Sequence, residues 1–125
     1  MNVPANLKYS RDHEWCRIEG EIAYIGITDF AQSELGDIVF VDVLTVGETL
    51  AAGDVFASIE AVKTTTDTFM PMSGEVVELN PAVDQDPSLI NKDPYGEGWI
   101  VKVKISDPAE YDALLTPEEY TAHCE

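Results

Sequence analysis

The chain has 125 residues, 45% of them hydrophobic, and carries 24 acidic against 7 basic residues for a formal net charge of −17. That length supports one self-sufficient core, so a single domain over residues 1–125 is expected. The charge excludes nucleic acid and anionic membranes, which reward a basic face, and favours partners with basic patches.

No apolar run approaches the length of a membrane span. Residues 1–5 show neither a charged n-region nor an apolar h-region, so no secretory signal is expected. With no transit peptide evident either, a bacterial cytoplasmic location is expected, or the mitochondrial matrix if the chain is a mature eukaryotic form. Cys16 and Cys124 lie near opposite ends and match no metal spacing, which predicts two free thiols.

In chain order, residues 1–10 read as a loop leading to a tyrosine. Asp12-His13-Glu14-Trp15 reads as a strand start, with Trp15 buried and Glu14 exposed. The only other histidine is His123, and two scattered histidines make no metal site. Glu19-Gly20-Glu21 is a turn, and residues 22–27 form a strand that pairs back on residues 15–18. Residues 28–36 predict a short helix, with Asp29 and Gln32 as a capping box and Gly36 as the stop. Phe30, Ala31 and Leu35 face its core side. Strands follow at 37–43 and 75–79, with a short one between turns over 46–53. Residues 80–98 read as loop, save one helical turn from Asp86 to Ile90. Asp107-Pro108-Ala109-Glu110 and Thr116-Pro117-Glu118-Glu119 each start a helix, placing C-terminal helices over about 107–124.

A faint internal repeat links residues 36–41 to 74–79 at an offset of 38 (74 minus 36). Residues 55–59 and 99–103 play similar parts later in each half. Two similar β halves suggest a mainly β, pseudo-symmetric sandwich with short peripheral helices.

Between these halves lies a stretch with unusual electrostatics. Lys63 is the only Lys or Arg across residues 18–91, a span with 14 acidic residues. Residues 54–62 and 64–70 read as two strands of a hairpin, which puts Lys63 at the tip with its amine in water. Two readings are open on this evidence: a surface lysine screening acidic neighbours, or an isolated amine placed for acylation.

Six motifs decide what the chain resembles. They are Asp12-His13-Glu14-Trp15, residues 26–32, residues 35–41, Glu60-Ala61-Val62-Lys63, Ser73-Gly74-Glu75-Val76, and residues 91–99. In this order and spacing the chain closely resembles the glycine cleavage system H protein family, from about Leu7 to Tyr120. The resemblance implies a lipoyl-domain-like barrel-sandwich hybrid and a carrier that is not itself an enzyme. It implies lipoic acid in amide linkage to Lys63. It implies three enzyme partners: glycine decarboxylase (P protein), aminomethyltransferase (T protein) and dihydrolipoamide dehydrogenase (L protein). A lipoate ligase or lipoyl transferase is the implied modifying partner, and a monomer is expected. Glu14 and Asp67 match the cleft positions that pair with the amine of the loaded arm; Asp12 is a weaker match. The chain has Glu-Ala-Val-Lys where Glu-Ser-Val-Lys is usual, and Thr-Thr-Thr-Asp after the lysine where Ala-Ala-Ser-Asp is usual. These departures bear on ligase recognition. Val62 and Thr64 argue against biotin, whose domains favour Met on both sides of the lysine. Alternatives are a lipoyl donor to other 2-oxoacid dehydrogenase complexes and an unmodified interaction module.

Overall fold

The computed structural model describes residues 2–124. Apolar and polar residues alternate through the first half, and nearly every such run becomes a strand. β1 (Lys8–Tyr9), β2 (Glu14–Glu19) and β3 (Ile22–Ile27) lead to α1 (Asp29–Leu35). β4 (Ile38–Asp42), β5 (Thr49–Leu50), β6 (Val55–Ala61), β7 (Thr65–Phe69) and β8 (Gly74–Leu79) follow. After α2 (Pro81–Gln85) and α3 (Leu89–Lys92) come β9 (Val101–Ile105), α4 (Ala109–Asp112) and α5 (Pro117–Cys124). All pairings are antiparallel, in a six-stranded sheet ordered β1-β2-β3-β9-β8-β5 and a three-stranded sheet ordered β4-β6-β7. Side chains of both sheets, among them Ile25, Val103, Phe56 and Ile59, share one buried core, so the architecture is the expected sandwich.

The internal repeat is real in three dimensions. β4 pairs with β6, and β8 pairs with β9. Each pairing carries a register shift at the matching place, between Ile38 and Phe40 in one half and between Val76 and Glu78 in the other. The later members of the repeat are offset by 42 (101 minus 59), because Val41 pairs Ile59 where Leu79 pairs Val101. The sequence alignment of 55–59 with 99–103 implies 44. The two-residue discrepancy keeps every side chain on the correct face.

Two helical details differ from expectation. Thr28, not Asp29, caps α1: its hydroxyl accepts from Ala31 N at 3.2 Å. Asp29 and Gln32 do pair, with Gln32 Nε2 donating at 2.8 Å, but inside the first turn. Residues 80–98 are loop-rich as expected but hold two short helices, α2 and α3, rather than one helical turn. Asn80 accepts from Ala82 N and Pro81 stands at N1, a helix start that the Asn-Pro turn signal obscured. At the C-terminus, Thr116 and Glu119 form the reciprocal capping box, at 3.2 and 2.9 Å. Both cysteines are free. No helix of the described residues is long and apolar enough to cross a membrane.

Candidate functional site

The β6–β7 hairpin forms because β-branched and apolar residues alternate up to Ala61 and resume at Thr65. Ala61 N donates to Thr64 O at 2.7 Å, which closes the tip, and Val62 N donates to Asp37 O at 2.9 Å, which ties the tip to the start of β4. Lys63 is exposed there, as the spacing predicts. Among the described residues the ion pairs are Arg17–Glu19, Lys92–Asp86 and Lys102–Glu78, and Lys63 joins none of them.

The lysine is nonetheless placed. Its side chain lies across Gly36, where an added Cβ would come within 3.4 Å of Cε and 3.8 Å of Nζ. Gly36 ends α1 with φ 77° and ψ −153°, a conformation close to glycine's alone. Asn91 of α3 fixes that corner. Its Nδ2 donates to Gly36 O at 2.8 Å and to Gln32 Oε1 at 3.0 Å, while its Oδ1 accepts from Ile38 N at 2.9 Å.

Beside this corner runs a cleft of about 180 Å³. One wall is α1, through Phe30, Ala31, Glu34 and Leu35. The second is β7, through Thr66, Asp67 and Thr68, and the third is Asp12-His13-Glu14 entering β2. The structure thus brings Glu14, Asp67 and Asp12 to one place. Lys63 is not on the cleft lining; it stands at the Leu35–Gly36 end of α1.

Glu14 departs from its expected exposure. It is 2% exposed, since the period-two pattern that buries Trp15 breaks down where β2 meets the cleft and neighbouring residues are both covered. The Ser10 hydroxyl donates to Oε1 at 2.6 Å and Phe69 N to Oε2 at 3.3 Å. Burial outweighs these bonds and pushes the carboxyl up to about 8. Asp67 is exposed and accepts from the Ser58 hydroxyl at 3.1 Å. Asp12 is exposed.

The sequence reading missed the cleft's back support. His13 is the one non-glycine residue with positive φ (71°) among those described. Its ring stacks on Phe30 at 4.7 Å. The buried Tyr120 hydroxyl of α5 sits 2.7 Å from His13 Nδ1 and 2.6 Å from Thr28 Oγ1. Thr28 N donates to His13 O at 3.0 Å. One hydroxyl therefore joins the strained residue before Glu14 to the cap of α1, and so braces two walls of the cleft. Burial, with the nearby His123, lowers the His13 pKa against the opposing pull of Asp12 and Glu34. No sequence signal connects residues 107 apart; only the pairing of β1 with β2 and the bridge from Tyr9 to Leu115 bring α5 here.

Comparison with known proteins gives consistent results. The family described as Glycine cleavage H-protein matches residues 7–125. The chain is 60% identical to the glycine cleavage system H protein of Bacteroides fragilis over 122 residues, covering 98% of this chain and 97% of that one. It is 58% identical to that of Bacteroides thetaiotaomicron over the same shares. A crystal structure of a glycine cleavage system H protein from Mycobacterium marinum superposes with a TM-score of 0.87 at 39% identity, covering 97% of this chain and 98% of that one.

Proposed function

We propose how this chain works from one premise: it belongs to the glycine cleavage H-protein family. The family is a carrier subunit, and its role is that of lipoyl carrier in the glycine cleavage system. On this reading Lys63 is the attachment point, and the chain itself catalyses nothing. The observation that carries it is the exposed amine of Lys63 at a hairpin tip, in none of the ion pairs of the described residues, with its side chain lying over Gly36 beside the end of the cleft.

The residues fit the group. Lipoic acid in amide linkage to Lys63 supplies a dithiolane that accepts the aminomethyl group made from glycine, together with electrons. Ile27, Phe30, Ala31 and Leu35 give the cleft an apolar lining for such a chain. Glu14 and Asp67 offer carboxyl oxygens to a cationic amine. The raised pKa of Glu14 suits this: a cation arriving beside it favours the carboxylate and draws the proton off. Without the cation the carboxyl stays neutral, and burying it costs less. His13, with its pKa lowered, adds no positive charge at neutral pH.

The surface charge of −17 suits brief docking to several enzymes in turn, with glycine decarboxylase, aminomethyltransferase and dihydrolipoamide dehydrogenase as partners and a lipoate ligase or transferase as the modifying enzyme. A cytoplasmic setting goes with this reading. Its test is the stability of the aminomethyl load. Lipoylated wild type, Glu14→Gln and Asp67→Asn are charged with glycine by glycine decarboxylase, and loss of the load to formaldehyde is timed. Faster loss in the variants supports the cleft roles; equal loss in all three removes them.

A further inference from the structure

Strand β4 of the three-stranded sheet and the hairpin tip hold the most exposed large apolar residues near Lys63. Val62 is 75% exposed, Val39 54% and Phe40 45%. The bulge in β4 supplies two of the three: it turns Val39 and Phe40 outward together between the buried Ile38 and Val41. Phe40 lies across from Glu60, and Val62 is bonded to the backbone at Asp37. Carboxylates thus neighbour the patch at Glu60 and Asp37, and Asp42 follows Phe40 by two positions in β4.

The internal repeat supplies a control within the same molecule. The second half keeps the bulge and its exposed valine, Val77. Where the first half has Phe40 opposite Glu60, the second has Glu78 opposite Lys102, joined at 3.2 Å. The scaffold therefore accepts a paired, polar surface at this position. The lysine-bearing half instead exposes an aromatic ring against a carboxylate, which gains little from water or from its neighbour.

We propose that Val39, Phe40 and Val62, with the carboxylates around them, form the docking surface for the enzyme that acylates Lys63, whose complementary face is an apolar socket with a basic rim. This rests on the reading of Lys63 as the lipoyl lysine. Reach selects this occupant over the enzymes that use the finished arm. Those enzymes engage the far end of a long chain. The modifying enzyme must bring its acyl donor to a bare lysine, so it must touch the residues beside Lys63. In that step the neutral Nζ attacks the acyl carbon of an acyl adenylate. The C–N bond forms, the C–O bond to AMP breaks, and the amine gives up its proton.

The test is the initial rate of lipoyl mass gain with a lipoate ligase, lipoate and ATP, on wild type, Phe40→Ser and Val77→Ser, each checked for an unchanged melting temperature. The expected result is a fall in kcat/KM of roughly tenfold for Phe40→Ser, the size of losing one aromatic anchor. Val77→Ser should match wild type, and added salt should slow wild-type acylation. An unchanged rate for Phe40→Ser overturns the inference while leaving the lipoyl lysine intact. No gain on folded wild type overturns both. Phe40→Ser protein, once lipoylated by extended incubation, should be loaded by glycine decarboxylase at the wild-type rate and, after its dithiolane is reduced chemically to the dithiol, be reoxidised by dihydrolipoamide dehydrogenase and NAD+ at the wild-type rate. An equal loss in those assays would make this a docking face shared by all partners and overturn the assignment to the acylating enzyme.

Discussion

The two halves of the repeat begin with equivalent glycines, and these do opposite jobs. Gly74 is buried, and a Cβ there would collide with Val103 Cγ1 and the Lys104 carbonyl oxygen. Gly36 faces only the flexible end of Lys63. The same contrast runs along the strands that follow. β8 and β9 join by a Glu78–Lys102 pair, and Lys102 also lies over the Tyr24 and Trp99 rings at 5.1 and 5.2 Å. β4 leaves Phe40 exposed, and β6 runs on into the hairpin tip, where Val62 is exposed. One supersecondary pattern was thus spent twice, once on close packing and once on presenting a lysine.

Substitutions at the paired glycines separate these roles most strongly. Gly74→Ala forces backbone to move and should cost about 3 kcal/mol in urea unfolding, the upper range for overpacking. Gly36→Ala should cost about 2 kcal/mol, from backbone strain alone. Equal losses traced to packing at both sites would dissolve the contrast.

Smaller effects test the cleft beside the lysine half. Tyr120→Phe keeps the ring stacked on Tyr9 at 4.7 Å but removes the hydroxyl shared by His13 and Thr28. A loss of about 1 kcal/mol is expected, and a double-mutant cycle with His13→Ala should show coupling. Glu14 contributes a slope. Its carboxyl keeps its proton up to about pH 8 when folded, whereas the unfolded chain releases it near the ordinary carboxylate value. The folded state binds the extra proton, so this group makes stability fall as pH rises from about 4.5 to 8, with no contribution to the slope outside that window. Glu14→Gln should flatten the wild-type fall in urea stability between pH 5 and pH 8. An identical slope in both proteins would show that the carboxyl ionises normally. Least of all, Lys102→Met should cost under about 1 kcal/mol in urea unfolding, because its partly exposed pair with Glu78 contributes little and the methionine keeps the apolar stem over the Tyr24 and Trp99 rings.

The sandwich was legible because period-two alternation, turn glycines and the repeat all point to the same strands. Lys63 stood out by its isolation among carboxylates, and family resemblance, not spacing, marked Glu14 and Asp67. The rest was hidden for identifiable reasons. Strand alternation assigns Glu14 to solvent, and only the fold brings the Ser10 hydroxyl and Phe69 N of β7 onto its carboxyl. Asn80-Pro81 is both a turn signal and a helix start, and local sequence does not choose between them. The Asn91 and Tyr120 braces act over 55 and 107 residues, beyond any local pattern.

The central claim is that this chain presents Lys63, and no other lysine, for lipoylation. Intact mass with peptide mapping, before and after treatment with lipoate ligase, lipoate and ATP, tests it on wild type and Lys63→Arg. The account predicts one lipoyl-sized gain on wild type, mapped to Lys63. It predicts none on the variant, whose melting temperature should be unchanged because charge is kept while the guanidinium forms no such amide. A gain on Lys63→Arg, or none on folded wild type, would contradict it.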